Sequence, residues 1–162
     1  MTSQTPCSNS FCEGVLNAKF IYKLYDYSDL PEDTFGQRLK KLRLSMGLSQ
    51  CELGSKVGMQ HSMIGSYERN EFHPTLDSIN KLISVLDTNI LCCEGYSKFL
   101  LDSNNFKDKL TKWRNENNLT KRSASKLIGI SEKGYATWEN GSIMSITTFS
   151  KVKESLLKYK LI

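Results

Sequence analysis

The sequence predicts an all-α protein built from two copies of one small helical fold, and three observations carry that expectation. Residues 48–70, LSQCELGSKVGMQHSMIGSYERN, read as a short helix, a tight turn at Gly58 and a second short helix. The same order returns 71 residues on, from Leu119 and Thr120 through Gly129 to Tyr135, Trp138 and Glu139. Apolar residues precede each segment at helical spacing: Phe35, Leu39 and Leu42 before the first, Phe106, Leu110 and Trp113 before the second. The repetition weighs more than either segment alone, because each copy matches the same pattern independently.

Along the chain, residues 1–33 read as an N-terminal tail with a short helix over about 14–26. Leu16, Phe20 and Leu24 have helical spacing there, and the β-branched and aromatic content leaves a strand open. Ser28 to Asp33, with Pro31 inside it, is a breaker. Residues 34–90 form the first helix-turn-helix domain, of four to five helices. Thr34 starts its first helix and Gly47 stops it. Ser49 with Glu52 three residues on is a capping box for the second helix. Gly58 supplies the positive φ of the turn, the third helix runs from about 60 to 69, and Pro74-Thr75 opens a fourth along Leu76, Ile79, Leu82, Ile83 and Leu86. Thr88 to Ser103 holds a fifth helix and a packed connector, with 91–103 as the connector proper. Residues 104–162 form the second domain: Thr120 caps where Ser49 did, Gly129 turns where Gly58 did, and Ile146, Phe149, Val152 and Leu156 form its last apolar face.

With 39% apolar and 24% charged residues the composition is that of an ordinary globular chain. No apolar run is long enough to cross a membrane, and Met1 to Ser10 lacks the basic and apolar regions of a secretory signal, so the expected compartment is the cytoplasm. The net charge of +5 is uneven: residues 1–34 carry −3, 35–90 carry +2 and 91–162 carry +6. A basic body with an acidic arm suits a nucleic-acid binder that has a separate interaction segment. Cys7, Cys12, Cys51, Cys92 and Cys93 are odd in number, which argues against a disulfide framework. Cys7, Cys12, Cys92 and Cys93 could supply four thiolates, but adjacent Cys92 and Cys93 fit a zinc knuckle poorly, so neither metal nor cofactor is expected. Glycine-loop, dinucleotide, nucleophile-elbow and zinc-protease motifs do not occur, and the expected protein is not an enzyme.

A helix held outward by others fits the major groove, where each base pair shows its own donor and acceptor pattern. In the first copy Ile64 and Tyr67 pack inward over Leu53 and Val57. That leaves Gln60, His61, Ser62, Gly65, Ser66 and Arg69 on the outer face. In the second copy Tyr135 and Trp138 turn in, while Ser131, Glu132, Lys133, Ala136 and Thr137 face out. Lys121 and Arg122 begin the preceding helix and are candidate phosphate contacts, with Lys126 a turn further on.

The pattern G-L-S-Q-x-E-L-G-x-x-V-G-M-x-x-S-x-I-x-x-Y-E-R-N at 47–70, followed by P-T-L-x-x-I at 74–79, resembles the lambda-repressor-like, Cro-type (XRE) family of helix-turn-helix regulators. The resemblance is strong over 35–90 and looser over 106–160. It implies that Gln50 contacts a phosphate and braces the base-reading side chains, and that His61, Ser62 and Ser66 read bases. It also implies structural ion pairs between Arg43 and Glu68 and between Arg114 and Glu139. The second copy departs from the pattern: Lys121 replaces the glutamine, and Glu132 stands where a carboxylate repels phosphate unless it accepts from a cytosine amine.

The expected function is a sequence-specific, double-stranded-DNA-binding transcriptional regulator, a repressor with tandem reading domains. A homodimer reading a palindrome is the other arrangement. The rival reading is an antitoxin or adaptor that binds a protein partner, with the N-terminal arm over 14–33 (Phe20, Tyr22, Leu24, Tyr25, Tyr27) as docking element. A third is an accessory factor in DNA processing. The abundance of Asn, Lys, Ile and Ser points to an AT-rich bacterial genome.

Overall fold

The computed structural model describes residues 27–162; the tail over 1–13 and the helix expected over 14–26 lie outside the described residues. Among the described residues all regular structure is helical. The described residues divide into two compact units, one comprising 27–72 together with 81–91 and the other comprising 73–80 together with 92–162.

In the first unit, α1 (Phe35–Ser45) starts at Thr34, whose hydroxyl accepts from the Gln37 amide while the Gln37 side chain accepts from Thr34 N–H. α2 (Gln50–Val57) has the capping box expected of Ser49 and Glu52, with bonds of 3.1 and 2.8 Å. Gly58 follows at φ +65°, a left-handed residue that only glycine adopts at no steric cost, and it turns the chain into α3 (His61–Glu68). Leu39, Leu53, Val57, Ile64, Tyr67, Leu82, Leu86 and Leu91 are buried. Each such side chain contributes about 1.5–3 kcal/mol on leaving water. α4 (Leu76–Ile83) straddles the division between units, and α5 (Thr88–Leu91) is a single turn packed on α1.

Two features of this unit leave no local trace in the sequence. Arg38, in a run of charges on α1, is buried; its guanidinium donates to the carbonyls of Leu91 (3.2 Å), Glu32 (2.9 Å) and Asp33 (3.3 Å). It ties the entry of α1 to α5. Asn70, at φ +56°, folds its amide back onto α1: Gly36 N–H donates to Asn70 Oδ1 at 3.1 Å, and Asn70 Nδ2 donates to Thr34 Oγ1 at 3.1 Å. The approach is close enough that a Cβ on Gly36 would collide with the Tyr67 carbonyl oxygen.

The second unit is built on α6 (Gly95–Asp102), a 3-10 turn (Ser103–Asn105), α7 (Phe106–Glu116), α8 (Lys121–Ile128), α9 (Glu132–Glu139) and α10 (Ile146–Lys158). Thr120, Ser131 and Ser145 cap α8, α9 and α10 through their hydroxyls, and Gly129 turns at φ +92°. The segment expected as connector is thus mostly helix. Phe99 on α6 is buried against Phe106 and Phe149, with ring centroids 5.2 and 5.1 Å apart, because an apolar face this large is stable only when covered. Trp113 packs on Tyr159 at 5.0 Å, and Tyr96 donates its hydroxyl to the Met144 carbonyl at 2.7 Å.

Replacing Gly36 by Ala forces this packing apart and should lower unfolding free energy by about 1–3 kcal/mol in urea titrations. Asn70→Ala, which removes only the cap, should cost about 1 kcal/mol. Equal losses for the two would show that the close approach at Gly36 carries no weight.

Candidate nucleic-acid interface

The first unit's α3 owes its position to a buried charge cluster. Arg43 on α1 donates to both oxygens of Glu68, Nε to Oε1 at 2.5 Å and Nη2 to Oε2 at 3.0 Å. Its Nη1 donates to the Leu48 carbonyl at 2.7 Å. Gln50 at the start of α2 completes the set, donating Nε2 to Glu68 Oε2 at 2.9 Å. Three helices thus meet at one carboxylate whose side chain is only 4% exposed. A buried ion pair is stable only when its remaining donors and acceptors are satisfied, and here they are.

The Gln50 side chain then lies over α3 at Gly65, where a Cβ would come within 3.3 Å of Gln50 Oε1 and 3.0 Å of Arg69 Nη1. Gly65, expected on the outer face, is therefore buried, because Gln50 and Arg69 fold across it. The rest of the expected face is open: Gln60, His61, Ser62 and Arg69 are exposed and Ser66 is half-buried. Gln60 precedes α3 without capping it through its side chain. Arg69 forks onto Glu71, Nε to Oε1 at 2.6 Å and Nη2 to Oε2 at 3.0 Å, and also reaches Ser66 Oγ at 3.4 Å. The bond to Glu71 raises the Arg69 pKa, and the bonds from Arg69 and then Ser66 lower that of Glu71. Nothing in the sequence pattern singled out Glu71.

In the second unit, Arg114 Nε meets Glu139 Oε1 at 2.6 Å and its Nη1 reaches the Leu119 carbonyl at 3.3 Å. Lys121 takes the place Gln50 has in the first unit, with Nζ 3.1 Å from Glu139 Oε2. Burial pushes the Glu139 carboxyl up, but the bonds from Arg114 and Lys121 prevail and hold it below its ordinary 4.5. The bond to Glu139 in turn raises the Arg114 pKa, and burial is the main cause that pushes the Tyr135 phenol up. Arg122, Ser131, Lys133 and Thr137 are exposed. Two of these hydroxyls have internal work: Ser131 Oγ accepts from the Gly134 amide at 3.1 Å, and Thr137 donates to the Lys133 carbonyl at 2.8 Å. Ala136 stands where the first unit has Gly65 and is half-buried.

Among the described residues no cluster of His, Cys, Asp or Glu could hold a metal, and no helix is long and apolar enough to cross a membrane. Cys51 and Cys93 are exposed and Cys92 is buried.

Three helices locked through one buried carboxylate, with the third helix's polar face outward, define a helix-turn-helix domain. The helix-turn-helix family model matches residues 39–91. The chain is 36% identical over 70 residues to the SPbeta prophage-derived uncharacterized HTH-type transcriptional regulator YonR of Bacillus subtilis (strain 168), a match covering 42% of this chain and 65% of that protein. It is 38% identical over 56 residues to the HTH-type transcriptional regulator SinR of the same strain and to SinR of Bacillus licheniformis, covering 34% of this chain and 50% of each relative. The chain thus spans between half and two-thirds of the length of these relatives. No solved structure gives a significant match.

Arg43→Ala leaves the Glu68 carboxylate buried without its main partner, and unfolding free energy should fall by about 3–5 kcal/mol in urea titrations. A loss below about 1 kcal/mol would show that the cluster contributes little to stability. The second unit supplies a pH signature. Since folding holds the Glu139 pKa below 4.5, its contribution is present above that value and is lost as pH falls through the lowered folded pKa. Wild type should therefore lose stability faster than Glu139→Gln between about pH 5 and pH 3. Parallel acid profiles would rule out this role for Glu139.

Proposed function

We propose that the protein is a sequence-specific DNA-binding transcriptional regulator that acts as a cytoplasmic repressor. Repression is preferred because occupancy of the site is enough to produce it. The carrying observation is the outward face of α3, with Gln60, His61, Ser62 and Ser66 exposed or half-exposed and the helix braced through Gln50, Glu68 and Arg43. The likeness of residues 39–91 to the helix-turn-helix family and to proteins named as transcriptional regulators supports the same reading. On this proposal α3 lies in the major groove, Gln50 and Arg69 meet phosphates, and His61, Ser62 and Ser66 read base edges.

The proposal extends to the second unit as a second helix-turn-helix in tandem. Support comes from its glycine turn between two eight-residue helices and its Arg114–Glu139 pair. Lys121 and Arg122 would meet phosphates, and Ser131, Lys133 and Thr137 would face the groove. The Thr137 hydroxyl hydrogen is spent on its own helix, which leaves its oxygen to accept from a base amine and its methyl to meet a thymine methyl. The partner is double-stranded DNA, bound by a monomer spanning two unequal half-sites or by a homodimer on a palindrome.

Selection of binding sites from random duplexes, repeated with Ser66→Ala and Thr137→Ala, checks both parts. A two-part site is expected, each half degraded by one variant at a cost of about 1–3 kcal/mol, with affinity falling steeply as salt rises. Enrichment of a single half insensitive to Thr137→Ala would remove the tandem reading. No enrichment together with a shallow salt slope would remove DNA recognition itself.

A further inference from the structure

The Ser66–Arg69–Glu71 cluster sits where the proposed face would meet DNA, and in the free protein its groups are spent on one another. The Arg69 guanidinium is engaged bidentately by Glu71, at 2.6 and 3.0 Å. That planar fork is the geometry a phosphate would also use. Ser66, half-buried on the same helix, accepts from Arg69 Nη2 at 3.4 Å, and its hydroxyl also helps lower the Glu71 pKa. Gly65 makes the arrangement possible, because the Arg69 guanidinium lies over its bare Cα, where a Cβ would be 3.0 Å from Nη1. The second unit has Ala136 in the place of Gly65 and Asn140 in the place of Arg69, so it has no counterpart of the cluster.

We propose that Glu71 is an internal competitor for DNA, which occupies Arg69 and Ser66 in the free protein and yields them to a bound duplex. The inference rests on the DNA-binding reading and deepens it at one residue. On any duplex a phosphate must displace the Glu71 carboxylate to reach Arg69, and the displaced carboxylate stands near the phosphate backbone. That cost is the same for every sequence, so it does not discriminate by itself. Ser66 is released in the same step and can then meet a base edge, so a site that draws both groups out bears the full cost of opening, and an unmatched site bears at most that cost. Removing the carboxylate therefore strengthens binding to the selected site at least as much as to unmatched DNA. Both Glu71 (46% exposed) and Arg69 (59% exposed) stand in solvent, so the competition occurs at the surface and is itself salt-dependent.

The test is Glu71→Gln in the full chain, titrated against the selected duplex and a scrambled duplex over a series of salt concentrations. Glu71→Gln should bind both duplexes about three- to tenfold tighter near 0.1 M salt, with a salt slope steeper by about 0.9, one more counterion released. The selected-to-scrambled ratio should not fall, and Arg69→Gln should abolish the gain; a gain that persists with Arg69→Gln would overturn the proposal, since Glu71 would then act by repulsion alone. Weaker binding of Glu71→Gln to both duplexes would overturn the proposal, since Glu71 would then be positioning Arg69 for contact. Loss confined to the selected duplex would overturn it too, and would make Glu71 a base-reading acceptor. If the wild type binds neither duplex in a salt-dependent way, the DNA reading fails and the competitor role fails with it. The fork can still be judged separately: the Arg69 Nε–H signal in NMR, shifted and slow to exchange in wild type, should revert to a solvent-exposed value in Glu71→Gln.

Discussion

The first unit depends on the meeting of Arg43, Glu68 and Gln50. One buried carboxylate receives two bonds from α1 and one from α2 while belonging to α3. That fixes the third helix in rotation as well as position, because a helix turned by one residue would carry Glu68 out of reach of both partners. Apolar packing through Leu53, Ile64 and Tyr67 supplies more free energy, yet apolar contacts tolerate sliding far better than a bidentate ion pair does. The hydrophobic core makes the unit stable, and the charge cluster makes the outward face of α3 definite.

The two units solve this bracing problem with different chemistry. Gln50 uses one amide hydrogen on Glu68 and leaves its carbonyl lying across Gly65. Lys121 brings a full charge to Glu139, and the third helix carries a half-buried alanine, Ala136, in the place of Gly65. A neutral amide held between two helices can accept and donate with fixed orientation, whereas an ammonium on a flexible stem offers only donors. The second unit therefore gains a stronger electrostatic tie to its buried carboxylate and forgoes a rigid acceptor at its surface.

What was legible in the sequence follows from range. Capping boxes, glycine turns and apolar periodicity are written within four or five residues, so Thr34, Ser49, Gly58, Thr120 and Gly129 have their expected roles. The Arg43–Glu68 and Arg114–Glu139 pairs span 25 residues and were reachable through the family resemblance. The burial of Arg38 has no sequence signal, because its partners are backbone carbonyls, which every residue has and no sequence marks. Asn70 caps a helix 34 residues earlier through its side chain, and α6 joins the second core through Phe99; both depend on tertiary neighbours. Gly65 was placed outward by helical phase, which is correct for its Cα direction, but phase could not foresee two long side chains folding over it.

Burial sorts the charges of the first unit by the work they can do. Arg43 and Glu68, with side chains 8% and 4% exposed, cannot exchange partners without breaking the fold. Arg69 and Glu71 lie one and three residues beyond Glu68, more than ten times as exposed on the glutamate side, and their pairing carries little stability. A pair worth little to folding is one that a ligand can exchange at low cost. If the buried pair faced outward, binding would have to pull the helix from its seat. If the exposed pair were buried, its cation could not be offered to anything. The separation of the two within a single helix turn lets α3 stay rigid while its outer charges remain available for exchange.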